Sequence, residues 1–232
     1  MRGILFDLDG TLLDIDLGEF LDRYFKALRV AAHDLPVPPD VQVLEAILAS
    51  TQAMMGAHPE RTNREMFYAD FLRRTGVDLD ASWGVFERFY AEEFPGLRDG
   101  MRSHRGARAV VERALDLGLK VAVATNPIFP RAAIEHRLAW ADLTDLPVHV
   151  ITTYETMHAT KPSAEYFLET AAMLGLTAGE CMMVGDDRSL DMPASDVGMK
   201  TFYVGPLGDV ACDYRGNLEE LASLLPAMAE ND

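Results

Sequence analysis

The sequence predicts an α/β fold, a parallel sheet covered by helices on both faces and interrupted by an all-helical insertion. Two observations carry this. Short apolar runs that stop at polar turns alternate with amphipathic stretches at the start of the chain and through its second half. Between them, residues 17–94 show helical spacing and no convincing strand.

The first strand is Gly3–Phe6, an apolar run stopped by Asp7-Leu8-Asp9-Gly10-Thr11. Four helical patterns follow. Leu17, Phe20, Leu21, Tyr24, Phe25 and Leu28 define the first; after Pro36, Pro38 and Pro39 the spacing resumes at Leu44, Ile47, Leu48, Thr51 and Met55. Thr62-Asn63-Arg64-Glu65 reads as a capping box opening a third helix that ends near Gly76. Asp80 is the expected cap of a fourth, containing Trp83, Phe86 and Tyr90, and Pro95-Gly96 marks the return to alternation. Further buried strands are expected at 119–124, 147–152, 181–184 and 200–204. Helices are expected at 107–117 before Gly118, at 163–174 before Gly175, and from a capping box between Asn217 and Glu220. The simplest division is a core of residues 1–16 and 95–232 carrying a smaller helical cap domain, 17–94.

Composition narrows the partners. With 232 residues and 49% apolar content the chain can bury a sizeable core. Lys plus Arg total 21 against 37 for Asp plus Glu, a formal charge of -16 that argues against nucleic acid and anionic membranes. No apolar run approaches the roughly 18 residues of a membrane span, and the run before Asp7 is too short for a signal segment. Cys181 and Cys212 stand alone, without Cys or His at zinc-ligand spacing, which fits a reducing cytoplasm.

Ligands of open α/β sheets bind beyond the carboxyl ends of the strands. The first strand delivers Asp7 and Asp9, the second Thr125 and Asn126, and the fourth Gly185-Asp186-Asp187 with Asp191 close behind. Lys161-Pro162 follows the third after a loop. Carboxylates converging in this way repel one another unless a hard divalent cation accepts their oxygens. Mg2+ fits best, since it takes a few carboxylates, waters and phosphate oxygens, and the six histidines are scattered. Lys161, the Thr125 hydroxyl and the N–H groups of the turn after Asp7, where Gly10 permits close approach, would then hold a phosphoryl group. Asp7 is the candidate nucleophile, and Asp9 the candidate acid/base, a role worth about 10²- to 10⁴-fold in rate.

The four motifs Asp7-Leu8-Asp9-Gly10-Thr11, Val123-Ala124-Thr125-Asn126, Lys161-Pro162 and Val184-Gly185-Asp186-Asp187 with Asp191, in this order, resemble those of the haloacid dehalogenase-like hydrolase superfamily. Most of its members are phosphatases, and the resemblance spans nearly the whole chain. It implies a Rossmann-like core with a helical cap inserted between the first and second motifs. It also implies that Asp7 is nucleophile and metal ligand, that Asp9 adds its main-chain carbonyl to the metal, and that Asp186 is the remaining carboxylate ligand. Of Asp187 and Asp191, one orients metal-bound water or Lys161, with the spacing favouring Asp191 for the family's second position. Thr125, Asn126 and Lys161 would bind the substrate phosphate. Pro127 and Ser163 depart from the family pattern.

Plainer readings stand beside these. Asp191 serves equally well as an N-cap before Met192-Pro193, and Phe67, Phe71, Met54 and Met55 read as core. Arg61, Arg64, Arg73 and Arg74 read as solvated helix faces that could also reach an anionic substrate. The expected function is Mg2+-dependent hydrolysis of a small phosphorylated metabolite through an aspartyl-phosphate, with cap closure about residues 14–16 and 95–100. The alternatives are a sugar phosphomutase of the same superfamily and a non-catalytic metal-binding interaction protein. Dehalogenation is disfavoured, because the family's dehalogenases lack the second acid that Asp9 supplies.

Overall fold

The computed structural model describes residues 1–39, 41–206 and 208–230. Its strands are β1 (Gly3–Phe6), β2 (Leu13–Asp14), β3 (Arg102–Ser103), β4 (Lys120–Val123), β5 (Val150–Ile151), β6 (Cys181–Gly185), β7 (Lys200–Tyr203) and β8 (Tyr214–Arg215). The α-helices are α1 (Leu17–Ala31), α2 (Val43–Ala53), α3 (Asn63–Thr75), α4 (Trp83–Arg88), α5 (Ala107–Asp116), α6 (Arg131–Trp140), α7 (Ala164–Met173) and α8 (Leu218–Glu230). Six strands form one parallel sheet in the order β5-β4-β1-β6-β7-β8. The expected α/β core is therefore present.

β1 lies at the centre because its four residues are buried on both faces. Ile4 and Phe6 join Val121, Val123, Met182 and Val184 in the core beneath α5, α6 and α8, while Leu5 joins Ala122 and Met183 beneath α7. This two-sided burial is why the strand reads as an unbroken apolar run. From β1 the chain adds β4 and β5 on one side, then β6, β7 and β8 on the other. The strand order reverses between β1 and its neighbours, which leaves a crevice at their carboxyl ends.

The block between β2 and β3 is helical, as expected, and its third helix opens with the capping box: Glu65 N–H donates to Thr62 Oγ1 at 3.2 Å and Thr62 N–H to Glu65 Oε2 at 2.8 Å. Its end differs. Asp80 pairs with Arg64 instead of capping α4, which starts at Trp83 after Ser82. α4 runs on through a π turn, Phe89–Glu93, and a 3-10 turn, Phe94–Arg98, so Pro95-Gly96 lies inside helical structure. Proline is tolerated there because the first turn of a helix needs no donor at that place.

The passage back to the core is a short antiparallel ribbon that pairs Leu13 with Ser103 and Asp14 with Arg102. Of the two segments expected to act as hinges, 14–16 contributes Asp14 to this ribbon and 95–100 ends just before its second strand. The ribbon, β8 and α6 are additions to the expected elements. α6 escaped because Arg137 sits on its buried face beside Ile134 and Leu138, which breaks the apolar stripe.

The insert shares the core of the α6 side of the sheet. Phe94 stacks on Trp140 with centroids 5.4 Å apart, and Phe20 meets Trp140 edge-on at 6.3 Å. A second attachment is made of backbone bonds: Asn63 N–H to Met157 O and Arg64 N–H to Tyr154 O at 2.8 Å, and Thr160 N–H to Gly56 O at 2.9 Å. Among the described residues, no helix is long and apolar enough to cross a membrane.

Candidate active site

Asp7 is the first residue beyond β1, and its N–H continues the ladder by donating to Val184 O at 2.9 Å. The chain then turns sharply: Leu12 and Leu13 N–H groups return to Leu8 O at 2.9 and 2.8 Å. Gly10 makes the turn possible. Its φ is 86°, and a methyl group there would collide with the Asp186 carboxylate, which rests against the turn and accepts from Thr11 Oγ1 at 3.0 Å. Burial, then the neighbouring Asp7, pushes the Asp186 carboxyl up to about 6.

Lys161 is buried between two acids, donating from Nζ to Asp7 Oδ1 at 2.8 Å and to Asp191 Oδ1 at 2.6 Å. Burial alone would lower its ammonium, but Asp191 and Asp7 hold it above the usual lysine range. The other Asp191 oxygen accepts Asp187 N–H at 3.0 Å. Asp191 occupies the N-cap position of a 3-10 turn, Met192–Val197, yet its side chain makes no cap bond and is used on Lys161 instead. Asp187 shapes its loop: Oδ1 accepts Ser189 N–H at 2.7 Å, Ser189 Oγ at 2.6 Å and Leu190 N–H at 3.1 Å.

Thr125 and Asn126 follow β4. The Thr125 carbonyl accepts from Thr152 Oγ1 at 2.7 Å and Tyr166 OH at 2.9 Å, while Asn126 Oδ1 accepts Lys161 N–H at 3.1 Å. All eight residues singled out in the sequence (Asp7, Asp9, Thr125, Asn126, Lys161, Asp186, Asp187 and Asp191) line one cavity of about 170 Å³. Ile15, Leu17 and Leu190 supply its apolar wall. None of Arg61, Arg64, Arg73 and Arg74 lines it; Arg64 is engaged with Asp80, and Arg73 and Arg74 with Asp70.

One residue of the neighbourhood was not foreseen. Arg137, fully buried, makes an ion pair with Asp9 Oδ2. Burial raises the Asp9 carboxyl above its usual range, against the lowering effect of this guanidinium. A charged residue at the centre of an apolar helical stripe is the signal that points to it.

These motifs belong together in a known family. The model for haloacid dehalogenase-like hydrolases matches residues 1–195. The chain is a haloacid dehalogenase-like hydrolase. Hexitol phosphatase A of Escherichia coli is 29% identical over 186 residues, 80% of this chain and 74% of the relative. N-acetylmuramic acid 6-phosphate phosphatase of Pseudomonas aeruginosa is 28% identical over 209 residues, 88% and 81% of the two chains. Among solved structures, a phosphatase of the family from Thermococcus onnurineus superposes with a TM-score of 0.59 at 24% identity, covering 97% of this chain and 98% of that one. As an enzyme, this hydrolase is of the phosphatase type.

The donor set suits a hard cation. Asp7, Asp186 and Asp191 offer carboxylate oxygens that all lie within 4.8 Å of one another. Five carboxylates line the cavity (Asp7, Asp9, Asp186, Asp187 and Asp191), the buried cations paired with them among the described residues are Lys161 and Arg137, and a divalent ion would offset part of the remaining negative charge. Both Asp191 oxygens are already engaged, by Lys161 and Asp187, which leaves Asp7 and Asp186 as the freer ligands.

Proposed function

We propose that this haloacid dehalogenase-like hydrolase cleaves a small phosphate monoester through a phosphorylated Asp7, with Mg2+ as cofactor. The observation that carries the proposal is that Asp7, Asp9, Lys161 and Asp186 line a single cavity of about 170 Å³, room for a phosphoryl group and a few further atoms. Asp7, Asp186 and the Asp9 main-chain carbonyl would hold the metal, which when bound neutralises phosphate charge. Asp187 and Asp191 stand behind these groups, Asp191 by holding Lys161.

Asp7 Oδ2 attacks phosphorus as the ester P–O bond breaks, and the leaving oxygen takes a proton from Asp9. Water then attacks the same phosphorus and gives a proton to Asp9, the Asp7–phosphorus bond breaks, and phosphate departs. Lys161, fixed by Asp191, keeps the Asp7 carboxylate oriented through Oδ1 and presents positive charge to the phosphoryl oxygens. Thr125 and Asn126 add donors at the cavity wall. Residues 17–94 act as a helical cap on a core of 1–16 and 95–232. The substrate is a small phosphorylated metabolite of the cytoplasm.

The test is phosphate release from a panel that includes hexitol phosphates, phosphoglycolate and N-acetylmuramic acid 6-phosphate, with Mg2+ and with a chelator. Metal-dependent release from at least one ester, abolished by Asp7→Asn in a folded protein, is expected. Release that survives Asp7→Asn, or none from any ester, would end the proposal.

A further inference from the structure

Asp9 has two carboxylate oxygens in different situations. Oδ2 carries the Arg137 ion pair, while Oδ1 is buried and has no hydrogen-bond partner among the described residues. We propose that Arg137 is a positioning residue for Asp9: its guanidinium ties Oδ2 and so fixes the orientation in which the carboxyl exchanges a proton with leaving group and water. This rests on the hydrolytic reading above.

The setting of Arg137 supports a role beyond folding. It lies on the inward face of α6 with Ile134 and Leu138, where its fractional exposure is 0%. An apolar side chain of similar volume in place of a buried ion pair is often neutral or stabilising, so stability alone does not account for a guanidinium here. Its placement is nevertheless closely defined. Nε donates to Ala133 O at 3.3 Å, and the guanidinium carbon lies 4.5 Å from the centroid of the Phe129 ring.

The contact with Asp9 is made by one prong only. Arginine commonly grips a carboxylate with two parallel bonds, which would occupy both oxygens. Here Nη1 takes Oδ2, and neither Nη2 nor Asp9 Oδ1 has a hydrogen-bond partner among the described residues. A single prong turns the carboxylate without consuming it. Phe129 follows the Thr125-Asn126 segment, so the arginine also links the turn after β1 to the loop after β4.

A proton donor matters most when the departing oxygen is a poor leaving group. The test therefore compares an alkyl phosphate with 4-nitrophenyl phosphate, whose anion departs without help. In Arg137→Gln, kcat for the alkyl ester is expected to fall by about 10²-fold, within the range that acid/base catalysis supplies. KM should change little. With 4-nitrophenyl phosphate, formation of the phosphorylated Asp7 is spared and its hydrolysis is not, so a burst of nitrophenolate stoichiometric with enzyme is expected. Arg137→Lys should recover part of the alkyl rate. In an Asp9→Asn background Arg137→Gln should add no further loss.

Equal losses on both esters without a burst, or losses that multiply with Asp9→Asn, would mean that Arg137 only supports the fold. Should Arg137→Gln fail to fold, Arg137→Lys keeps the charge and carries the same comparison. Absence of any metal-dependent turnover by the unsubstituted enzyme sinks the hydrolytic reading, and this inference with it. Turnover by that enzyme with a uniform loss in the variants overturns the inference alone.

Discussion

Lys161 Nζ donates to Asp191 Oδ1 at 2.6 Å, and each of the two side chains is only 1% exposed. Asp191 is therefore the partner that makes a buried ammonium tolerable, and Asp7, 2.8 Å away, is the second. Asp191→Ala leaves Lys161 leaning on Asp7 alone. Removing one member of a buried pair typically costs about 3–5 kcal/mol, because the other charge stays behind without compensation. Urea unfolding of Asp191→Ala against the parent should show a loss of that order, and a difference under about 1 kcal/mol would contradict this account of Lys161.

The raised Asp186 carboxyl gives the metal-free protein a pH signature. With a folded-state value of about 6 against an ordinary 3.8, the native state keeps a proton that the unfolded chain releases. The stabilising contribution is full below the ordinary carboxylate value and is lost as pH rises toward about 6. A divalent cation needs the ionised form, so metal binding expels the proton and should strengthen across the same window. Calorimetry of Mg2+ binding in two buffers of different ionisation enthalpy should show proton release at about pH 5 that fades above about pH 7. Asp186→Asn should remove the release along with most of the affinity.

Gly10 is predicted to be intolerant of any side chain. Gly10→Ala must adopt a positive φ and displace the Asp186 carboxylate, and backbone strain of this kind costs about 1–3 kcal/mol. The informative readout is Mg2+ affinity, which should fall well beyond the change in stability. Gly76→Ala is the control. It also has positive φ, 73°, at the end of α3, but nothing lies within 4 Å of the added methyl, so it should lose stability and keep metal affinity.

Much of this site was legible in the sequence because parallel strands buried on both faces read as apolar runs, and the residue that ends each run is forced to the same edge of the sheet. Asp7, Thr125 and Asp186 were found in that way. Lys161 and Asp191 stand outside strand ends and came from motif order. Arg137 interrupts an apolar helical stripe, a local signal that marks the residue but not its partner, because Asp9 is 128 positions away in sequence. The fourth helix holds Trp83 and Phe86 as expected, but its cap was misplaced because Asp80 looks like a cap and is used instead by Arg64, a tertiary contact that overrides a local signal.

The tie between the helical insert and the catalytic loops gives the last prediction. Asn63 is fully buried at the start of α3, and its Nδ2 donates at 3.1 Å to both Pro127 O and Ala159 O. Pro127 adjoins Asn126, and Ala159 lies two residues before Lys161, so a single amide braces both loops that face the cavity. Asn63→Ala would leave two carbonyls without this donor, at a cost of about 1–3 kcal/mol. Thr62→Ala removes the cap of the same helix at a cost of about 1 kcal/mol and touches neither loop. If the brace serves the site, Asn63→Ala weakens binding of inorganic phosphate, read by displacement of a tungstate or vanadate inhibitor, while Thr62→Ala leaves it unchanged at matched fractions of folded protein. Equal affinities in the two variants would show that Asn63 fastens the insert without organising the loops around Asn126 and Lys161.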